Sequence, residues 1–204
     1  MNRQTLARFL LALLALVTVP AAHAAEDALQ VVQGTTKEVM DRVKNDKDAL
    51  RAEPAKMYSL VSEMIFPHFD FEVMSKFVVG NSWGTTDASK QQAFISQFRR
   101  LLVRTYATAL LEYSDQTIEY PASEPTKNEK TAIVRQNVNQ SVGKVLPVLY
   151  RLHDKSGTWK VYDVEVDGIS LVKTFKSAFA QTLAEGGIDR LLQDLEAKNK
   201  DLGA

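Results

Sequence analysis

Residues 158–179 read TWKVYDVEVDGISLVKTFKSAF, and the hydrophobic period changes in the middle of them. Trp159 to Val166 is dense in β-branched and aromatic residues, the composition of a pleated, part-buried strand. Asp167-Gly168 interrupts the run. Beyond it Ile169, Val172, Phe175, Phe179 and Leu183 recur three or four residues apart, on one face of a helix. A strand therefore runs through one glycine turn into an amphipathic helix, which has to fold back over the sheet. Ser170 is placed to cap that helix with its hydroxyl.

Toward the N-terminus, three more strands are predicted at 116–120, 131–138 and 145–153. Pro121 to Glu129 is a polar connection. Asn139 to Gly143 and Asp154-Lys155-Ser156-Gly157 are turns, and connections this short favour an antiparallel meander. Pro147 inside the third strand suggests an edge or a bulge there. Val148, Tyr150 and Leu152 share one face of that strand, and Arg151 and His153 the other. In the fourth strand Asp163 and Glu165 read as the wet side of the sheet. Toward the C-terminus the helix from Ile169 ends near Glu185. A last helix after Gly186-Gly187 carries Ile188, Leu191, Leu192 and Leu195.

The earlier half of the chain is helical in pattern. Leu29, Val32, Thr36, Val39, Met40 and Val43 mark a first amphipathic helix. Pro54 suits the first turn of a second, with Met57, Leu60, Val61, Met64 and Ile65 as its stripe, and Pro67 stops it. A short helix follows Asp70, with Phe71, Met74, Phe77 and Val78 inward and Gly80 as its stop. The longest helix is predicted from Asp87 to Tyr113, its apolar face running from Phe94 and Phe98 to Leu110. Arg99, Arg100 and Arg104 fall off that face and read as solvated. The order of helices, four strands and two helices makes an α+β fold in a single domain.

Residues 1–24 are set apart. Arg3 and Arg8 precede the apolar run Phe9 to Val19, and Ala22-His23-Ala24 offers small residues for signal peptidase, so cleavage after Ala24 is predicted. The run is shorter than the roughly 20 residues of a membrane span. The chain of 204 residues has 25 basic and 25 acidic side chains and no cysteine. Without Arg3 and Arg8 the balance tips slightly negative, which argues against a nucleic-acid partner. Stability without disulfides has to come from the core, and residues 25–204 suffice for one sizeable core.

No catalytic arrangement is convincing. Gly168-Ile169-Ser170-Leu171-Val172 resembles a nucleophile elbow but has valine where the second glycine is needed. An exported esterase using Ser170 with His68 or His153 is the alternative to a binding protein. Beyond the leader, His68 and His153 are the only histidines, and no metal-ligand spacing is present. Asp163 with Glu165 is the one carboxylate pair on a strand face. What remains is a large apolar supply, which would suit either a ligand cavity or a scaffold with a filled core.

Several stretches carry a resemblance. Trp159-Lys160-Val161-Tyr162-Asp163-Val164 with Gly168-Ile169-Ser170-Leu171-Val172 is the first. Asp70-Phe71, Met74, Gly80 and Trp83 form another, and Phe94, Phe98, Leu101-Leu102, Thr105-Tyr106-Ala107 and Leu110 a third. Pro147 to Leu152, and Gly187-Ile188-Asp189 with Leu191, complete the set. In this order and spacing they resemble the MlaC, or toluene-tolerance, family of periplasmic phospholipid-binding proteins. Phe175-Lys176 departs from the Tyr-Arg often found in similar proteins, so a polar contact through those side chains does not carry over.

The resemblance implies a curved antiparallel sheet of the cystatin-like or a related kind, with helices enclosing an apolar pocket for acyl chains. It implies a monomeric, non-catalytic periplasmic carrier with no cofactor, whose ligand is a glycerophospholipid. The partners implied are an MCE-domain protein of an inner-membrane ABC transporter and an outer-membrane lipoprotein–porin complex. The traffic preserves outer-membrane lipid asymmetry, with inward net transport. For Arg99, Arg100 and Arg104 the functional alternative to a solvated face is contact with lipid phosphates or a partner. The lining expected from the helices is Met74, Phe77, Phe98, Leu102, Tyr106 and Leu110, then Ile169, Val172 and Phe175. From the sheet it is Val134, Val148, Tyr150, Leu152, Val164 and Val166.

Overall fold

The computed structural model describes residues 20–112, 116–122, 130–140 and 143–200. The predicted leader lies outside these residues up to position 19, as do the end of the long helix at Tyr113 and most of the polar connection before Lys130. An antiparallel sheet runs in the order β1 (Thr117–Glu119), β2 (Thr131–Asn139), β3 (Val145–Asp154), β4 (Trp159–Val166), β5 (Ile169–Ser170). The sheet is therefore five-stranded, one more strand than expected. Asp167 and Gly168 both take positive φ, 51° and 79°. That is the tight hairpin an Asp-Gly pair favours. It returns the chain along β4 for two pairings, Glu165 with Ser170 and Val166 with Ile169, before the helix begins. Ile169 is thus an edge-strand residue, 63% exposed, and not the first residue of the helical stripe.

Sheet faces follow from one irregularity. Tyr150 pairs with Val164 and Arg151 with Asp163, but Leu152 pairs with Val161, a bulge that inserts one residue into β4. The bulge changes the parity of β4, so Trp159, Val161, Val164 and Val166 all join the apolar face that carries Val134, Val148, Tyr150 and Leu152. Pro147 is not at an edge, because β3 pairs on both sides. Its carbonyl accepts from Asp167 N–H at 2.9 Å, just past the last β3–β4 pair, so its missing N–H falls where β4 has already turned away.

Helix α1 (Pro20–Asn45) crosses the apolar sheet face, where Ala28 and Val32 pack among Val134, Leu152, Val161 and Val164. Its second half, with Val39 and Val43, enters a separate helical core. That core is built by α3 (Pro54–Met64), α4 (Phe71–Val79), α5 (Ala88–Glu112) and α6 (Leu171–Asn199). A short helix absent from the sequence reading, α2 (Lys47–Ala52), adds Leu50. Phe94 and Phe98 are fully buried at its centre, with Phe175 edge-on to Phe98 at 5.2 Å. Two apolar cores thus replace the single one expected, and Phe69 packs against both.

The helix ends follow their local chemistry. Asp70 caps α4 by accepting from Val73 N–H, and Gly80 ends it at φ 69°. Phe77, expected to face inward on α4, is 51% exposed and lies over Tyr162 at 6.1 Å. The inward face is taken by Phe71, Met74, Ser75 and Val78, and Phe77 falls beside it. Among the described residues α5 spans 25 residues and α1 26, while the 29 residues of α6 are broken by Gly187 at φ 61°, ψ −160°, where the double glycine was expected to separate two helices.

Candidate functional site

Six of the expected lining residues come together on the sheet: Val134, Val148, Tyr150, Leu152, Val164 and Val166 share the face under α1. Met74, Phe98, Val172 and Phe175 instead belong to the helical core. The pairing of Val148 with Val172 and Phe175 across one pocket is therefore not observed. The two sets sit in different cores because α6 leaves β5 toward α4 and α5, while α1 takes the opposite sheet face. Burial is graded along both walls. On β3, Leu152 is sealed, whereas Val148 and Tyr150 are only partly covered. On α5 the buried run of Phe94, Ile95 and Phe98 gives way to partly covered Leu102, Tyr106 and Leu110.

One stripe of α1 (Gln33, Thr36, Lys37, Met40, Asp41 and Lys44) faces Gln116, Ile118 and Tyr120 across a cleft of about 430 Å³. Thr36 hydrogen-bonds with Tyr120 and with Tyr150, so a polar cluster lies at the inner end of the cleft. Burial pushes the Tyr150 phenol far above its ordinary range, and pushes Tyr106 and Tyr120 up as well. All three hydroxyls are therefore neutral donors at any physiological pH. Gln136, on the same sheet face, is buried with its Oε1 unpaired among the described residues. The sequence reading placed Tyr106 and Tyr150 in the lining but missed Tyr120 and Gln136, because each stands alone in its own segment.

The polar residues weighed for chemistry are bound into the scaffold. Asp163 is not on a wet face: it is buried, accepting from the Ser170 hydroxyl at 2.7 Å and from Val172 N–H at 3.2 Å. Ser170 in turn accepts from Lys173 N–H, which makes it the cap of α6. Glu165 is held by Arg151 at 3.0 Å. His153 Nε2 lies 3.1 Å from Asp70, and Lys155 Nζ lies 2.9 Å from the same carboxylate. Burial alone would raise the Asp70 pKa, but Lys155, Val73 N–H and His153 together hold it below the usual carboxylate range. Burial, with help from Lys160, depresses His68. Among the described residues Ser170 has a carboxylate but no histidine as a side-chain partner, so the serine–histidine contact of a serine hydrolase is not formed there.

The arginines beside the apolar face of α5 are engaged with the fold. Arg104 donates to the Lys198 carbonyl, and Arg100 lies over the Tyr58 ring at 5.9 Å. Arg99 stacks on Phe71 at 4.5 Å and near Phe66 at 5.5 Å. No helix of the described residues is long and apolar enough to cross a membrane.

Comparison with known proteins supplies what the geometry leaves open. The chain is 35% identical to the toluene tolerance protein ttg2D of Pseudomonas putida over 183 residues, 88% of this chain and 82% of that one. It is 25% identical to the intermembrane phospholipid transport system binding protein MlaC of Haemophilus influenzae, over 81% of this chain and 79% of that one. A solved phospholipid-binding protein from Ralstonia solanacearum, in complex with a phospholipid, superposes with a TM-score of 0.80 at 31% identity. That match covers 86% of this chain and 98% of the other. The family described as MlaC protein matches residues 33–197, and with these relatives it establishes that the chain belongs to the MlaC family.

Proposed function

We propose that this protein is a periplasmic phospholipid carrier without catalytic activity, its leader removed after Ala24. It takes phospholipid from an outer-membrane lipoprotein–porin complex and delivers it to an MCE-domain protein of an inner-membrane ABC transporter, acting as a monomer. The observation that carries this reading is the likeness, over 98% of its length, to a protein solved with a phospholipid bound. The partly covered apolar residues support it too. Val148, Tyr150 and Val166 on the sheet, with Leu102, Tyr106 and Leu110 on α5, are surface that the fold has not sealed into either core.

The energetics define the task. Exposing a tail costs about 0.8 kcal/mol per methylene, so a chain of roughly 16 carbons costs on the order of 12 kcal/mol in water. A carrier has to cover the tails, while leaving the phosphate solvated avoids a large desolvation penalty. Native mass spectrometry of protein purified from the periplasm, with organic extraction of the same sample, tests the reading. Phospholipid in both is expected. A folded protein that carries none, and acquires none from vesicles, would mean a scaffold with filled cores.

A further inference from the structure

Beside the turn between β3 and β4, Phe69, Asp70, Phe71, Glu72, Gln92, Ile95, Arg99, Lys155 and Lys160 line a second cleft, of about 240 Å³. Three of its side chains are cations. Asp70 is already satisfied by its cap bond, His153 and Lys155, and Glu72 is well exposed, 3.9 Å from Lys155. Lys160 donates to the Pro67 carbonyl at 2.5 Å, which holds its stem over the cleft.

Arg99 is the unusual member. Its guanidinium lies against the Phe71 ring, and its Nε is buried with no hydrogen-bond partner among the described residues. A buried unpaired donor is costly, and more so when the group is charged. Stacking fixes the plane of the guanidinium, and a fixed guanidinium fork matches an oxyanion through paired N–H donors. The apolar part of the lining, Phe71 and Ile95, belongs to the helical core, so a ligand held here has apolar wall beside its charged end.

We propose that Arg99, with Lys155 and Lys160, forms a binding site for a phosphoryl oxyanion. The phosphoryl group comes either from the headgroup of a bound phospholipid, the source that rests on the carrier reading, or from free phosphate.

The test follows the Nε–Hε resonance of Arg99 in the ¹⁵N-labelled chain, assigned by its loss in Arg99→Lys. Inorganic phosphate and glycerophosphoglycerol, a tail-free phosphodiester, are titrated separately. Both should shift that resonance in a saturable way, and Lys160→Gln should weaken each about tenfold, the equivalent of one charge-assisted hydrogen bond. Lys160 is at the surface of the cleft, so this variant keeps its fold even if Arg99→Lys does not. Protein loaded from phosphatidylglycerol vesicles separates the sources. If the headgroup is the source, the resonance is already shifted and phosphate moves it no further; if free phosphate is the source, the response persists in the loaded protein. Protein that takes up lipid while Arg99 answers to neither phosphate, phosphodiester nor lipid overturns the site and leaves the carrier reading standing. Protein that answers to phosphate but takes up no lipid supports the site and removes the carrier reading. A response confined to an acidic peptide would make the cleft a protein-docking surface and also overturn it.

Discussion

The Ser170 hydroxyl donates to Asp163 Oδ2 at 2.7 Å, tying the middle of β4 to the first turn of α6. Asp163 also accepts from Val172 N–H, so two of the free N-terminal groups of α6 are answered by this pair, one through each residue. Ser170→Ala should therefore lower stability by about 2 kcal/mol, a lost cap plus a buried carboxylate short of a donor. Urea unfolding measures it. Bound phospholipid should be unchanged in the variant. Ester hydrolysis present in the wild type and absent in Ser170→Ala would instead make this serine a nucleophile.

Asp70 sets a pH dependence. Its folded-state pKa lies below the ordinary value of 3.8, so the stabilisation it brings is complete above that value. It is lost as pH falls through the lower, folded-state value. Asp70→Asn should be less stable than the wild type by about 2 kcal/mol near neutral pH, and the gap should close below about pH 4. Thermal unfolding of both from pH 7 to pH 3 decides the matter. A gap that does not change with pH would assign the effect to shape and not to charge.

The sheet face separates wall from core. Leu152 is fully buried, so Leu152→Glu should unfold the protein. Val148 is partly covered at the far end of the same face, so Val148→Glu should keep a cooperative transition while losing most co-purifying phospholipid. Arg135→Glu, exposed on the other face, should keep both. Phe175→Glu should behave like Leu152→Glu, because Phe175 packs on Phe98 inside the helical core. Loss of lipid with a stable fold in Phe175→Glu would put the tails in the helical core.

Phe77 and Phe98 make the matching contrast among helix residues. Phe98→Ala should cost about 3–5 kcal/mol, the range for emptying a buried aromatic site. Phe77→Ser should change stability by less than about 1 kcal/mol, since half of that ring is already in water. Equal losses in the two variants, measured by urea unfolding, would place Phe77 inward after all.

Much of this was legible in residues 158–179 and their neighbours. The strand from Trp159 to Val166, the cap at Ser170 and the inward Val172, Phe175 and Phe179 depend on local composition and short-range periodicity, which the chain carries in itself. Val148, Tyr150 and Leu152 share a face because a strand alternates, whatever covers it. The element that covers a face lies far away in sequence, and only the tertiary structure decided that. Asp163 looked solvated until α6 closed over it, and Arg99 looked solvated until Phe66 and Phe71 were brought beneath it. Val148 and Phe175, both apolar and both correctly oriented within their own elements, ended in different cores. The side of the sheet to which β5 delivers α6 made that choice, and it is not encoded in hydrophobic period.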